Sequence, residues 1–486
     1  MNASEIAEGQ APEDGDRVAW LTSRERVVGF VQMLQADPAR TWQEVLLSGD
    51  VGVRGLTCVG TLVRGWSVTL ALRDAAGRLH LMTAHDNIAL GCPIASLFSA
   101  EWGAYWRDES VMDARTSEQV RAIETHIEAI ESFFGSSRSA HRVLVRGNAN
   151  FAHVELSVCT AIERVIDLAA EGGWRPSGVH LGERHPLGDP DELYPELDGV
   201  SHVRTASQDI GGGFRASHDA LIPVALGVKN KKPLMRVSGP VRKRLRDFVP
   251  VADRAEGPAD VSKAVRAAGH DKVLWFSVRG LGRRALPLVE TIDLAERLAL
   301  ALTAEWERPA IVVDGTSLQV GDSLETDMAG FSIGRHVEVE KLMGALIAER
   351  IALKAPGCLT YQAVGLPLWQ SFQLVQDVDG YVVHDGTTQH KIGWLRPDLP
   401  GLVHGPRQRN VGQGYIWHPV DSGTPAVYFP PGSIVDHKPD SVVVPHANYG
   451  YSVQFDQQLS DFVEHFVRSL GDPDPGRAMY ERFYAG

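Results

Sequence analysis

Apolar and polar positions alternate with a period of two along VLLSGDVGVRGLTCVGTLVRGWSVTLALRDAAGRLHLMTA, residues 45–84, the pattern of half-buried strands. Asp74-Ala-Ala-Gly77 lies between the runs SVTLAL and LHLMTA and reads as a hairpin turn. The period then changes. Residues 116–134, TSEQVRAIETHIEAIESFF, place apolar side chains at helical spacing and stop at Gly135-Ser-Ser. An earlier helix is expected over about 23–35, behind a polar, acidic leader at 1–15.

From residue 142 short apolar runs alternate with amphipathic helices. RVLVRG (142–147) predicts a strand, and ELSVCTAIERVIDLAAEGG (155–173) a helix closing on paired glycines. A Pro/Gly/Ala-containing connector, PVADRAEGPADVSKAVRAAGHD, precedes a second such run. There KVLWFSV (272–278) and AIVVDG (310–315) predict strands separated by a helix over 286–306. A helix over 336–353 follows, then the strand YVVHDG (381–386) and a closing helix over 456–470. Strands alternating with helices imply parallel sheets with right-handed crossovers. The expected fold is therefore α/β: two Rossmann-like domains facing a cleft, preceded by a β-rich N-terminal region. The boundaries expected are 1–140 for that region, 141–265 for the first Rossmann-like domain, 266–450 for the second, and 451–486 for a C-terminal helix crossing back to the first. No short-period repeat is present.

Composition narrows the class. At 486 residues the chain exceeds one ordinary domain, and 44% hydrophobic with 22% charged residues is ordinary for a globular protein. A formal charge of −13 argues against a nucleic-acid partner. The four cysteines, Cys58, Cys92, Cys159 and Cys358, have no C-x-x-C spacing and fit a reducing cytoplasm. The N-terminus lacks the features of a secretory or transit peptide, and no apolar run approaches the roughly 20 residues of a membrane span. A cytoplasmic location is expected.

Three segments carry candidate chemistry. In WFSVRGLGRRALP (275–287) a strand delivers Arg279, Gly280, Gly282, Arg283 and Arg284 to the start of a helix. Cations gain nothing from a helix N-terminus, so arginines there make sense beside an anion, whose oxygens match the guanidinium fork. Only Gly280-Leu281-Gly282 is present of the dinucleotide fingerprint G-x-G-x-x-G. In YVVHDGTTQHKIGWL (381–395) a strand ends at His384, Asp385 and Gly386, and Thr387, Thr388 and Lys391 open the next helix. Hydroxyls, backbone amides and an ammonium there suit phosphate or ribose, although Asp385 or Thr387 would equally cap a helix. In RGNANFAHVELSVCTAIER (146–164) His153 follows a strand, with Glu155 two residues on; a histidine so placed can act as a general base. HLGERH (180–185) completes no metal-ligand set, and the basic runs KNKKP (229–233) and VRKRLR (241–246) read as solvated faces. P-loop, G-x-S-x-G and H-E-x-x-H motifs are all absent.

The order of these segments resembles the family-61 glycosyltransferases, the capsular-polysaccharide type with a GT-B fold. Asn150-Phe151-Ala152-His153 is similar to that family's early N-[YF]-[GA]-H segment, and Ser277-Val278-Arg279 through Arg283-Arg284 to its S-R-x-x-x-x-R-R segment. Asp385-Gly386-Thr387-Thr388-Gln389-His390-Lys391 corresponds to its late H-G-A-G-L-T-N, with Asp385 in the histidine's place. The similarity spans about residues 142–405. It implies transfer of a sugar from a nucleotide-sugar donor to a saccharide or lipid-linked acceptor. His153 or Glu155 would then be the base, and Arg279, Arg283, Arg284 and Lys391 would neutralise the departing diphosphate. No D-x-D stands at a strand end, so a metal-independent reaction without a cofactor is expected. The competing expectations are a nucleotide-sugar epimerase and a non-enzymatic binding or assembly protein on the same scaffold.

Overall fold

The computed structural model describes residues 56–84 (except 66 and 75), 94–107, 114–146 (except 136–138), scattered positions within 158–170, and 177–180, 186–196, 206–222, 239–280 (except 255–258), 285–385 (except 329–330), 391–407, 426–437 and 450–471. The chain divides into two compact units, residues 1–185 with 189–233, and residues 186–188 with 234–486. It is a mixed α/β protein with two parallel sheets among the described residues.

The first unit opens with an antiparallel meander: β1 (Leu56–Arg64), β2 (Ser67–Asp74), β3 (Leu79–Ala84), β4 (Ile94–Ser99) and β5 (Gly103–Arg107). The turn between β2 and β3 is the Asp74–Gly77 segment. The Asp74 carboxylate accepts the amides of Ala76 and Arg78, and Gly77 takes φ +82, a region open to glycine. Helix α1 (Ala114–Phe134) covers the sheet and packs Ile123, Ile130 and Phe134 against Val59, Leu62 and Leu81. It kinks at His126, beside the left-handed glycines 211–213.

A second, parallel sheet pairs β6 (Val143–Arg146) with β7 (Gly178–His180) and with β10 (Ala220–Ile222). At residues 140–141 the Ala140 amide donates to the Cys58 carbonyl and the His141 amide to the His218 carbonyl. β8 (Gln208–Asp209) and β9 (Arg215–Ser217) extend the antiparallel sheet alongside β1, and Arg142 holds Asp219 at 2.8 Å. Only scattered residues of the helix expected over 155–173 are described, and the helix expected over 23–35 lies outside the described residues.

The first unit also holds a short helix, α2 (Pro190–Leu193), and the second begins with helices α3 (Gly239–Asp247) and α4 (Asp260–Ala268). The second run of strands then builds one parallel sheet from β11 (Lys272–Ser277), β12 (Pro309–Asp314), β15 (Leu359–Gln362), β16 (Gly380–His384), β17 (Gly401–His404) and β18 (Val427–Tyr428). A two-residue hairpin, β13 (Asp327–Met328) with β14 (Phe331–Ser332), lies between β12 and β15. The chain order across the parallel sheet is β15-β12-β11-β16-β17-β18. Strands therefore wind outward from β11 in one direction, and β16 restarts on its other side. In such doubly wound sheets the crevice beyond the carboxyl ends of the two strands at the reversal is the usual ligand position.

Helices α5 (Leu288–Glu305) and α6 (Ile333–Lys354) bury Leu294, Leu298, Leu302, Val337, Ile347 and Ile351 against Leu274, Phe276, Ile311 and Val313. Helix α7 (Leu368–Leu374) lies between β15 and β16 in the chain. The closing helix α8 (Gln457–Ser469), capped by the Asp456 carboxylate, packs Leu459, Phe462, Phe466 and Val467 into this same core. A hairpin of β19 (Ile434–Asp436) and β20 (Tyr451–Val453) completes the unit. Among the described residues no helix is long and apolar enough to cross a membrane.

Candidate functional site at the sheet's carboxyl edge

Two of the three sequence candidates end on neighbouring strands. β11 delivers Arg279 and Gly280, β16 delivers His384 and Asp385, and the two strands pair directly, Phe276 opposite Val382. Both loops thus open from the strands that flank the reversal of sheet order. His153, Glu155, Gly282, Arg283, Arg284, Gly386, Thr387 and Thr388 lie outside the described residues.

Arg279 is half-buried, and among the described residues its guanidinium has no hydrogen bond and no ion pair. Burial pulls its pKa below the ordinary value, opposed by Glu340, the Tyr451 hydroxyl and Asp385. Arginine keeps its charge in proteins, so a partly desolvated cation stands at this edge with Glu340 and Asp385 near enough to act on it and no described acidic group in contact.

Gly280 packs closely against α6. Its amide donates to Glu340 Oε1 at 3.3 Å, and a Cβ there would run into Val339 and Met343 of α6. Glu340 Oε2 accepts the Thr316 amide at 2.6 Å, and a Cβ on Gly315 would strike the same carboxylate. One buried carboxylate from α6 therefore ties together the loops that leave β11 and β12. The two glycines give it room.

Lys391 opens a helical turn after the β16 loop, as its sequence position suggests. Its ammonium is spoken for. Nζ donates to Asp314 Oδ2 at 2.8 Å, to Ser317 Oγ at 2.7 Å and to the Gly315 carbonyl, which uses all three protons. Asp314 is fully buried, and burial pushes its carboxyl up to about 6 despite the opposing Lys391. Its Oδ1 has no partner among the described residues.

His384 is 4% exposed, with Nδ1 3.2 Å from Ser277 Oγ. It sits in register with His404 at the end of β17, and the Asp385 amide donates to the His404 carbonyl. His404 Nδ1 lies 2.5 Å from the buried Tyr451 hydroxyl. His336, one turn before Glu340 on α6, has its pKa lowered by burial, with Arg279 and Arg335 adding to that effect and Glu340 opposing it. Among the described residues no group of three or more histidine, cysteine and acidic side chains could hold a metal ion.

Sequence reasoning missed Glu340, Asp314, Tyr451 and the role of His404. Two signals were available. AIVVDG ends its strand on the same acid-glycine pair as YVVHDG, and Glu340 interrupts the apolar stripe of Val337, Met343 and Ile347.

The first unit has a hollow of about 500 Å³ beside the Asp74 turn, lined by Arg73, Arg78, Ser99, Glu101 and Glu131. Its arginines are engaged, Arg73 with the Gly77 and Phe134 carbonyls and Arg78 with Asp74.

No family model matches the chain, and no curated protein matches it. Among solved structures, one similar chain is a Veillonella parvula protein described as a glycosyl transferase of family 9. It is 10% identical, with 60% of this chain and 86% of that one covered and a TM-score of 0.26. Another is the N-terminal domain of Candida albicans trehalose-6-phosphate phosphatase, 10% identical, with 77% and 78% covered and a TM-score of 0.24. Scores this low establish no shared architecture.

Proposed function

We propose that the chain is a glycosyltransferase that moves a sugar from a nucleotide-sugar donor to a saccharide or lipid-linked acceptor, without a metal ion. One observation carries the donor half of this reading: Arg279 stands at the reversal of the parallel sheet, half-buried, with no ion-pair partner among the described residues. A desolvated guanidinium at that position is matched to a diphosphate oxygen. Arg283 and Arg284 add charge to the same loop, and Thr387 and Thr388 offer hydroxyls from the neighbouring one. In transfer, these groups stabilise the negative charge that develops on the departing diphosphate. Lys391 works at one remove, holding the segment after β16 against the end of β12. Deprotonation of the acceptor hydroxyl falls to His153 or Glu155. Glycosyl transfer, as distinct from nucleotide binding alone, rests on the motif resemblance at residues 150–153, 277–284 and 385–391.

A binding protein on the same scaffold is favoured by the commitment of Lys391 to Asp314, which removes one expected cation from the diphosphate. A thermal-shift panel of UDP, GDP, ADP and CMP tests the shared part of both readings. A ligand bound only to the native state at 100 times its Kd stabilises by about 2.7 kcal/mol. One nucleotide is expected to raise the melting temperature. No shift with any of the four at millimolar concentration overturns the donor site. Release of nucleotide from a nucleotide-sugar in the presence of acceptor then separates transferase from binder.

A further inference from the structure

Helix α6 is apolar on two faces. Its inner stripe, Val337, Met343, Ile347 and Ile351, is buried in the core of the second unit. On the outer side Leu342, Leu346 and Leu353 recur at helical spacing and are 67%, 43% and 70% exposed. Ala345 and Ala352 lie among them, and residues that small let another helix approach closely. Helix α5 runs alongside, with Arg350 on Glu296 at 2.5 Å and Gly357 beside Thr303. That register brings Leu300, 43% exposed, to the same end of the layer as Leu353. Single exposed leucines need no explanation, but four on one two-helix layer form a patch of the kind that associating surfaces carry. With 22 residues α6 is about 33 Å long. Two such helices side by side offer a face about 20 Å wide, near the roughly 800 Å² that each partner of a standard interface contributes.

The charges on this face are arranged for a copy of itself. Lys341 and Glu349 are exposed, have no ion pair among the described residues, and stand four residues before and four after Ala345. A two-fold axis at Ala345 runs the α6 of a second copy antiparallel to the first. Lys341 of each copy then comes opposite Glu349 of the other, on one flank of the leucines. Leu342 of each copy falls within about one turn of Leu346 of the other. A parallel pairing would instead set Lys341 against Lys341 and Glu349 against Glu349, which is repulsive. We infer that the α5–α6 face binds a second copy of this chain, with α6 against α6 in antiparallel order. The leucines supply the affinity and the two charge pairs fix the register. Such a contact uses the same patch on both copies and closes on itself at the dimer.

Sedimentation velocity of the full chain over about 1–100 μM tests the inference. The parent is expected to form a dimer. Leu342→Glu together with Leu346→Glu, both at exposed positions, is expected to weaken it about 100-fold or more with the far-UV spectrum unchanged. Lys341→Glu and Glu349→Lys are each expected to weaken it about 10-fold, because each sets like charges opposite one another twice. Mixing these two variants, or combining both changes in one chain, brings opposite charges together again. Either is expected to return the affinity to within about threefold of the parent. That rescue is specific to a second copy in antiparallel order. A parent that stays monomeric throughout overturns the inference, as does a dimer that the two leucine changes leave intact. Charge reversals that neither mixing nor combination rescues overturn the antiparallel arrangement. A monomer that sediments with phosphatidylglycerol vesicles makes the face a membrane surface and overturns the second copy as its occupant.

Discussion

The Lys391 ammonium lies 2.8 Å from Oδ2 of Asp314, with the two side chains 5% and 0% exposed. Asp314 ends β12, Lys391 follows β16, and those strands lie on opposite sides of β11. The pair therefore reaches over the end of the strand that carries Arg279, fixing the loops on either side of it.

Removing one partner from a buried pair is far more damaging than removing both. Lys391→Met leaves a buried carboxyl that must either stay charged without its cation or take up a proton. Its expected cost is about 3–5 kcal/mol. Lys391→Met combined with Asp314→Leu is expected to recover much of that loss, because apolar replacement of a whole buried pair is often near neutral. Urea denaturation followed by tryptophan fluorescence measures both, since Trp275, Trp369 and Trp394 are fully buried in this unit. A double variant as unstable as the sum of its singles would refute the account.

That pair also shows why the sequence was readable only in part. The strands ending at Ser277, Asp314 and His384 stand out because each is a short apolar run closed by polar or glycine residues, a local pattern. So does the convergence of their loops, which follows from strand order in an α/β sheet. Lys391 looked like a ligand cation because its partner is 77 residues away, and no local pattern reports a pairing at that distance. The same holds for Tyr451 and His404, 47 residues apart, and for Glu340, whose partners are backbone amides of two separate loops. The packing of Gly280 against α6 was equally out of reach, since Val339 and Met343 lie about 60 residues further along the chain.

The raised pKa of Asp314 has a consequence for stability. The folded carboxyl titrates at about 6, against an ordinary value of 3.8. Between those values the folded chain holds a proton that the unfolded chain has released, so stability falls as pH rises through the window and levels off above it. The full contribution is about 3 kcal/mol. Asp314→Asn lacks the titrating group, so the parent's stability relative to this variant is expected to decline from pH 4 to pH 6. Denaturation of both proteins at pH 4, 5, 6 and 7 reads the difference. A gap independent of pH contradicts the assignment.

The Glu340 bridge predicts an unusual sensitivity at a glycine. Gly315→Ala places a methyl against the Glu340 carboxylate, which must then withdraw from the Thr316 amide. Overpacking of this kind costs about 1–3 kcal/mol. Glu340→Ala removes the obstacle along with the bridge, so adding Gly315→Ala to that variant is expected to cost much less. A double-mutant cycle in thermal denaturation measures the coupling. Additive effects would place the strain of Gly315→Ala somewhere other than Glu340.

Arg279 offers the sharpest separation of structure from function. A guanidinium that is partly desolvated and without an ion pair among the described residues adds little to the fold, since its burial is opposed there by charges at a distance. Arg279→Leu is therefore expected to leave the melting temperature unchanged or to raise it, by no more than about 1 kcal/mol of stability. The same substitution is expected to abolish the shift produced by whichever nucleotide stabilises the parent, because the charge-assisted bonds to the diphosphate are lost. Arg279→Lys keeps a point charge without the fork and should retain part of the shift. Thermal denaturation with and without nucleotide gives both quantities in one experiment. A large loss of stability in the ligand-free Arg279→Leu variant, with nucleotide binding intact, would make Arg279 a structural residue and remove the observation on which the donor site stands.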